Sequence, residues 1–142
     1  MTNQEIRVPS DKLHSFMTKV LEKAGVPKED ALICADILIA ADLRGIDSHG
    51  INRLKPIYFD RIRQGTQTAV TTIEIVKDGP TATVIDGHNG MGQVIAKKAM
   101  DIAIAKAKKM GMAMTAVRNS NHYGIAGYFG LMAAEQNMIG IT

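Results

Sequence analysis

The chain has 142 residues, a length that suits one compact domain or two small domains packed together. Seventeen basic residues against fourteen acidic ones give a net charge of +3, with only three Tyr and three Phe for base stacking. This composition favours a small anionic substrate and excludes a typical nucleic-acid partner. No apolar stretch approaches the ~18 residues of a membrane span, and the N-terminus lacks a signal-peptide core, so we expect a cytoplasmic protein without a membrane partner.

The first 70 residues have the periodicity of helices. Apolar residues recur at helical spacing after Ser10, which predicts a first helix with Ser10 as its N-cap and Gly25 just past its end. Pro27 can open a second helix, apolar on most sides, that should stop near Gly45. The only cysteine, Cys34, lies in this apolar run, so we expect it to be buried and predict neither a disulfide framework nor a metal site.

A third helix should follow the segment DSHGINRLKP and end at Gly65, with Pro56 limiting its start or bending it. The character of the sequence changes near Val70. The segments TTIEIVKDGP and TATVIDG predict a strand pair, and MAMTAVR predicts another strand. Between them a long surface helix should end at Gly111, with one face formed by Ala96, Met100, Ala103, Ala107 and Met110.

The last predicted elements are a helix in IAGYFGLMAAEQN and a strand in MIGIT. The fold class is therefore α/β, with a helical segment at residues 1–70 and the first part of an α/β domain at residues 71–142. Because the chain ends at Thr142 inside a predicted strand, we expect this domain to be incomplete. The chain would then be one piece of a longer enzyme or one chain of a split enzyme.

A glycine-rich loop lies between a predicted strand and a predicted helix in VIDGHNGMGQVIA, where phosphate-binding loops occur. The dinucleotide fingerprint requires G-x-G-x-x-G, but after Gly90 and Gly92 the third position is Ile95. The next strand also ends in Arg118 instead of an acidic ribose ligand. We expect these glycines, with Gly87, to turn the chain sharply and pack the helix closely.

Two of the four histidines lie in predicted loops beside Ser, Gly and Arg: His49 in RGIDSHGINR and His122 in NSNHYG. Each motif alone is explained by a loop histidine with ordinary hydrogen bonds, while His14 should be solvated and His88 needs no function. Together, His49 and His122 suit the interconversion of a carbonyl and an alcohol, because imidazole can donate and accept a proton near neutral pH. Their spacing does not decide which of them is the main acid–base group.

Two further side chains beside His49 suit an anionic substrate. Ser48 offers a hydroxyl, and Arg53 offers a planar set of donors that matches a carboxylate. If the third helix has begun by His49, the four-residue spacing places His49 and Arg53 on one face. Arg44 and Arg118 are alternatives to Arg53.

Four segments in this order resemble the N-terminal part of the type-2 malate/L-lactate dehydrogenase family. They are ADLRGIDSHGINRL, VIDGHNGMGQVIAKKAM, NSNHYGIAGYF and AAEQNMIGIT, and the resemblance covers nearly the whole chain from about Ser10 onward. The family includes L-sulfolactate and ureidoglycolate dehydrogenases and diketogulonate reductase, and its members are well over twice as long as this chain. The resemblance implies NAD- or NADP-dependent interconversion of a 2-hydroxy acid and a 2-oxo acid by a homodimer with a non-Rossmann cofactor domain.

The resemblance also implies roles for individual residues. His122 matches a histidine assigned as acid–base catalyst in some members, and His49 matches one assigned as proton donor in others. Ser48 and Arg53 match positions that bind the carboxylate side of the substrate, and Tyr58 lies near a tyrosine of the substrate pocket. Most cofactor contacts are expected beyond Thr142, so the identity of the 2-hydroxy acid and the choice between NAD and NADP stay open.

An alternative is that the chain is not catalytic by itself. It would then be a fragment or assembly module whose active site is completed only by a partner chain with the remaining part, and its exposed strand edge would favour such pairing.

Overall fold

The structure is a computed structural model that describes residues 7–142. Its first part is helical and begins with α1 (Ser10–Lys23) and α2 (Lys28–Asp42). Two 3-10 turns (Asp47–His49 and Ile51–Arg53), a π-helical turn (Leu54–Phe59) and the short helix α3 (Asp60–Arg63) follow. Its second part mixes strands and helices in the order β1 (Glu74–Asp78), β2 (Ala82–Asp86), α4 (Gly92–Met110), β3 (Met114–Arg118) and α5 (Ala126–Ala134). The predicted α/β class is confirmed. Within the described residues, no helix is both long enough and apolar enough to cross a membrane.

The first two helices lie where the sequence predicts them. Gly25, with φ +95°, follows the end of α1, and Gly45, with φ +69°, follows the end of α2. The prediction of Ser10 as N-cap is wrong, because Pro9 occupies the cap and its carbonyl accepts the N–H of Leu13 at 3.1 Å. Ser10 is instead the first helical residue.

The third helix forms around Pro56, close to its predicted position after DSHGINRLKP, but it has not begun by His49. His49 and Arg53 belong to two separate 3-10 turns joined by Gly50, so they do not share one helix face. Regular bonding starts only at Leu54, and it starts as a π-helical turn. Pro56 lies inside this turn and lacks the N–H that an α-helix would need, which accounts for the irregular bonding. Gly65 ends the helical segment, as predicted, at φ +71°.

The sheet of the described chain has the order β1-β2-β3. The predicted hairpin is confirmed, since β1 pairs with β2 antiparallel, and β2 then pairs with β3 in parallel through the crossover helix α4. This mixed sheet differs from the parallel sheet of a Rossmann fold. Because β2 and β3 are parallel, Asp86 and Arg118 lie opposite one another at the same edge, where the glycine loop and the His122 loop begin.

The main core joins the two parts of the chain. It contains Met17, Leu21, Cys34 and Tyr58 from the helical part, together with Met91 and Val94 from the start of α4. The predicted burial of Cys34 is confirmed. The predicted boundary near Val70, which lies between α3 and β1, stays a prediction.

Helix α4 packs through a different face from the predicted one. Ile95 and Ala99 are buried against Ile85 of β2, whereas Met100 is half-buried and Met110 is exposed. The predicted end of the helix is confirmed, since Gly111 has φ +84°.

The segment MIGIT is not a strand in the described chain. A strand exists only through hydrogen bonds to a neighbour, and no strand of residues 7–142 pairs with this segment. The side chains of Ile139 and Ile141 are 93% and 89% exposed. The prediction of a strand at residues 138–142 is therefore wrong for this structure.

Candidate active site

The buried carboxylate of Asp86 fixes the loops that follow β2 and β3. It accepts hydrogen bonds from the backbone N–H of His88 at 2.9 Å and from Arg118 Nε and Asn119 Nδ2 at 2.8 Å each. The His88 bond, followed by the bonds from Arg118 and Asn119, lowers the pKa of Asp86. Asp86 therefore stays ionised and fastens the start of the loop that contains His122.

The glycine loop packs against the His122 loop. A Cβ on Gly92 would overlap the backbone carbonyls of Asn121 and His122, and Asn121 Nδ2 donates to the carbonyls of Asn89 and Gly90 at 2.9 and 3.0 Å. The predicted close packing is confirmed. The sharp turn runs from Gly87 to Gly90, whose N–H donates to the Gly87 carbonyl at 2.8 Å, and its two central residues, His88 and Asn89, have φ +46° and +58°.

The same packing leaves no space for the pyrophosphate of a dinucleotide at this loop. A Cβ on Gly90 would already lie 2.8 Å from Thr71 Cγ2, and the space beside Gly92 is filled by Asn121 and His122. A pyrophosphate needs that space and free N–H groups. The residues of this loop do not fit the cofactor.

His122 is half-buried, and both of its Nδ1 contacts come from fixed groups. The hydroxyl of Tyr58 lies 2.8 Å from Nδ1, and the backbone N–H of Gly124 donates to the same nitrogen at 3.2 Å. Burial, followed by the positive charges of His49, Arg53 and Arg61, lowers the pKa of His122. The ring is therefore largely neutral at neutral pH.

His49 stacks on His122, with the ring centroids 5.5 Å apart and an angle of 27° between the ring planes. Its Nδ1 lies 2.8 Å from the hydroxyl of Ser48. Arg53 Nε donates to the backbone carbonyl of Ser48, and within residues 7–142 its terminal guanidinium nitrogens have no hydrogen-bond partner. The structure thus gathers His49, Ser48 and Arg53 on one side of His122 although these residues share no helix face.

The turn that contains His49 is held by the end of α2. The backbone N–H of Ile51 donates to Asp42 Oδ2 at 2.9 Å, and a Cβ on Gly50 would overlap the carboxylate of Asp42. Burial raises the pKa of Asp42. Asp42 is not among the residues predicted for the site, although a glycine directly after His49 is the signal of a close approach by another group.

An open cavity of about 660 Å³ lies over the two imidazoles, a volume within the usual range for ligand pockets. Its lining contains both predicted histidines and the start of α5: Ile46, His49, Asn121, His122, Tyr123, Gly124, Ile125, Ala126 and Gly127. Ser48 and Arg53 are not among the lining residues, but Ser48 contacts His49 and Arg53 binds the carbonyl of Ser48. Tyr58 lies behind His122 and is fully buried.

The remaining candidates lie elsewhere. Arg44 donates to the carbonyl of Ala40 at 2.9 Å, and Arg118 binds Asp86, so neither lines the cavity. His14 is half-buried and pairs with Asp36 at 2.7 Å, which corrects the expectation of a solvated side chain. Across residues 7–142 no group of three or more His, Cys, Asp and Glu side chains is arranged to hold a metal ion.

Comparison with known proteins identifies the family. A family model described as malate/L-lactate dehydrogenase matches residues 8–142. The chain belongs to this family. It is 56% identical over 137 residues to a malate dehydrogenase of Pyrococcus abyssi, and 52% identical over 123 residues to an L-sulfolactate dehydrogenase of Methanocaldococcus jannaschii. These matches cover 96% and 87% of the chain, but only 38% and 36% of the two relatives.

A solved structure of this family has the same fold. The malate dehydrogenase of Pyrococcus horikoshii OT3 is 53% identical and superposes with a TM-score of 0.90 over 92% of the chain and 37% of its own. The chain thus spans less than two fifths of the length of these three relatives.

Proposed function

We propose that this chain provides the proton-exchanging part of an NAD- or NADP-dependent dehydrogenase that interconverts a 2-hydroxy acid and a 2-oxo acid. The observation on which this rests is the pair of stacked imidazoles of His49 and His122 at the wall of a cavity. Arg53 binds the carbonyl of Ser48, directly before His49. The relatives named malate dehydrogenase and L-sulfolactate dehydrogenase act, by their names, on acids of this class.

His122 is the principal acid–base group in this proposal. Its Nδ1 is bound by Tyr58 and Gly124, so Nε2 is the nitrogen left to exchange a proton with the substrate oxygen. His49, stacked on His122, adds positive charge beside that ring. This arrangement favours an anionic substrate and opposes a second proton on His122.

Arg53 and Ser48 bind the carboxylate side of the substrate in this proposal. The bond from Arg53 Nε to the Ser48 carbonyl fixes the guanidinium against the His49 turn, and in the described part of the chain no acceptor binds its terminal nitrogens. Two parallel N–H groups of such a fork match the two oxygens of a carboxylate. Tyr58, which is fully buried, has no exposed surface with which to contact the substrate directly.

The nicotinamide cofactor would supply the hydride. No cofactor-binding residue is assigned to this chain, because the glycine loop does not fit a dinucleotide. We infer a homodimer, or pairing with a chain that has the remaining part of the enzyme, and a cytoplasmic location stays a prediction. The alternative of a non-catalytic module that needs a partner is compatible with the short coverage of the relatives, but it does not account for them better.

Substitution of His122 tests the proposal. His122→Asn should lower kcat for 2-oxo acid reduction by about 10²- to 10⁴-fold, the contribution of a lost general acid–base group. The measurement is oxidation of NADH and NADPH with a panel of 2-oxo acids, on protein whose intact mass and partner chains have been recorded.

The matched control is His88→Asn. His88 bonds to Glu74 at 3.1 Å, lies outside the cavity, and has a positive φ that Asn tolerates. Its replacement should leave kcat within about twofold. Near-normal turnover by His122→Asn would remove His122 from the proposed role.

A further inference from the structure

Tyr58 occupies an unusual position for a residue of a substrate pocket. It is 0% exposed and belongs to the core of the helical part, yet its hydroxyl lies 2.8 Å from His122 Nδ1. The ring of His122 packs edge-on against the Tyr58 ring, with centroids 5.8 Å apart. The π-helical turn at Leu54–Phe59 places this side chain under the histidine.

The second partner of Nδ1 differs from Tyr58 in its chemistry. The backbone N–H of Gly124 can only donate, so its bond at 3.2 Å requires that Nδ1 has a free lone pair and that the neutral ring has its proton on Nε2. A hydroxyl, in contrast, can both donate and accept. Of the two partners, only Tyr58 can bind Nδ1 in each protonation state of the ring.

We propose that Tyr58 is a positioning residue that reverses its hydrogen bond to His122 during the reaction, donating to Nδ1 when that nitrogen is bare and accepting from it when it is protonated. This inference rests on the proposed acid–base function of His122.

The proton balance explains why the reversal is needed. When the imidazolium donates a proton to the substrate, the Nε2–H bond breaks and its electron pair stays on the ring. The proton forms an O–H bond with the substrate oxygen. The neutral ring that remains has its proton on Nδ1. That N–H faces the Gly124 N–H, which cannot accept it, so the Tyr58 oxygen is the acceptor. Burial raises the pKa of Tyr58, so its own proton is not released.

The charges around His122 make this acceptor important. His49, Arg53 and Arg61, from three neighbouring turns and helices, all disfavour the imidazolium, and Gly124 binds only the ring with a bare Nδ1. Tyr58 is the one neighbour of Nδ1 in the described chain that can stabilise the protonated nitrogen.

Tyr58→Phe tests this inference, since it keeps the buried ring and removes only the hydroxyl. We expect the protonated fraction of His122, measured by NMR titration of its imidazole signals in the protein as purified, to fall about threefold to tenfold at a given pH, as for the loss of one hydrogen bond. The matched control is Tyr128→Phe, because Tyr128 packs near Ala40 and Ile125 and does not line the cavity. This control should leave the titration of His122 unchanged.

Kinetics and the resting tautomer separate the remaining possibilities. Tyr58→Phe should lower kcat for reduction at pH 7 by about the same factor with KM unchanged, whereas a substrate-binding role would raise KM. An unchanged His122 titration in a folded Tyr58→Phe variant would overturn the inference.

If that variant does not fold, the ¹⁵N shifts of the wild-type ring decide: neutral His122 should have its proton on Nε2, and a proton on Nδ1 would refute the arrangement. These NMR results do not depend on turnover, so they can fail separately from the proposed function.

Discussion

At the scale of single residues, the site combines the largely neutral imidazole of His122 with neighbouring positive groups that could pair with an anion. Burial and the charges of His49, Arg53 and Arg61 all lower the pKa of His122. A bound carboxylate would offset part of this positive charge and so favour the imidazolium that donates the proton. The proposed roles therefore predict that substrate binding and proton donation are coupled through Arg53.

Arg53→Ala should mainly raise KM for the 2-oxo acid, by about tenfold to a hundredfold, because a charge-assisted pair of hydrogen bonds is lost. Arg53→Lys should recover only part of this loss, since an ammonium group keeps the charge but lacks the planar fork. Steady-state kinetics with varied 2-oxo acid would measure both effects.

The control for Arg53 is Arg63→Ala. Arg63 lies on α3, 5.9 Å from the Phe59 ring and away from the cavity, so its loss should leave KM unchanged. A wild-type KM in Arg53→Ala would rule out the carboxylate-binding role.

At the scale of elements, the position of His49 depends on the contact between the end of α2 and the turn that follows it. Asp42 accepts the Ile51 N–H, and the missing side chain of Gly50 makes room for the Asp42 carboxylate. The turn is therefore specified by two residues, neither of which contacts the cavity.

Gly50→Ala should lower the free energy of unfolding by about 1–3 kcal/mol, as for other overpacked sites, and should reduce activity by moving His49. Asp42→Ala should cost about 1 kcal/mol through the lost hydrogen bond. The double variant should be less destabilised than the sum, because removal of the Asp42 carboxylate makes room for the new methyl group. Urea unfolding of the four proteins would measure this coupling.

Gly127→Ala is the control for an added methyl group, since a Cβ at Gly127 has no atom within 4 Å and lies in the first turn of α5. It should not destabilise the protein. Strict additivity of Gly50→Ala and Asp42→Ala would show that the two residues do not act together.

The elements also show which structure the sequence predicts and which it does not. Helices α1 and α2 and the β1–β2 pair follow from periodicity and from glycines at positive φ, because these signals are local. The separation of His49 and Arg53 into two 3-10 turns does not follow, since it depends on how Gly50 packs against Asp42. A strand at residues 138–142 needs a hydrogen-bonded neighbour, and composition alone cannot provide one.

At the scale of the whole molecule, the site lies where the helical part meets the α/β part. His49 follows α2 and His122 follows β3, and the shared core with α4 holds these two regions together. The sequence predicts the pairing of the histidines through their common chemistry. The stacking distance of 5.5 Å and the role of the Tyr58 hydroxyl depend on tertiary packing, so no local pattern predicts them.

The most direct test of the account is the pH dependence of kcat/KM for oxidation of the 2-hydroxy acid by the wild type and by His122→Asn. Oxidation needs the neutral His122 ring in the tautomer with a bare Nε2, whose share of the neutral ring does not change with pH. The lowered pKa of His122 therefore places the loss of activity on the acid side below the ordinary value of about 6.5. We predict that the wild-type rate rises with pH through this region and that His122→Asn, much slower, lacks this rise. The same rise in both proteins would mean that another group exchanges the proton.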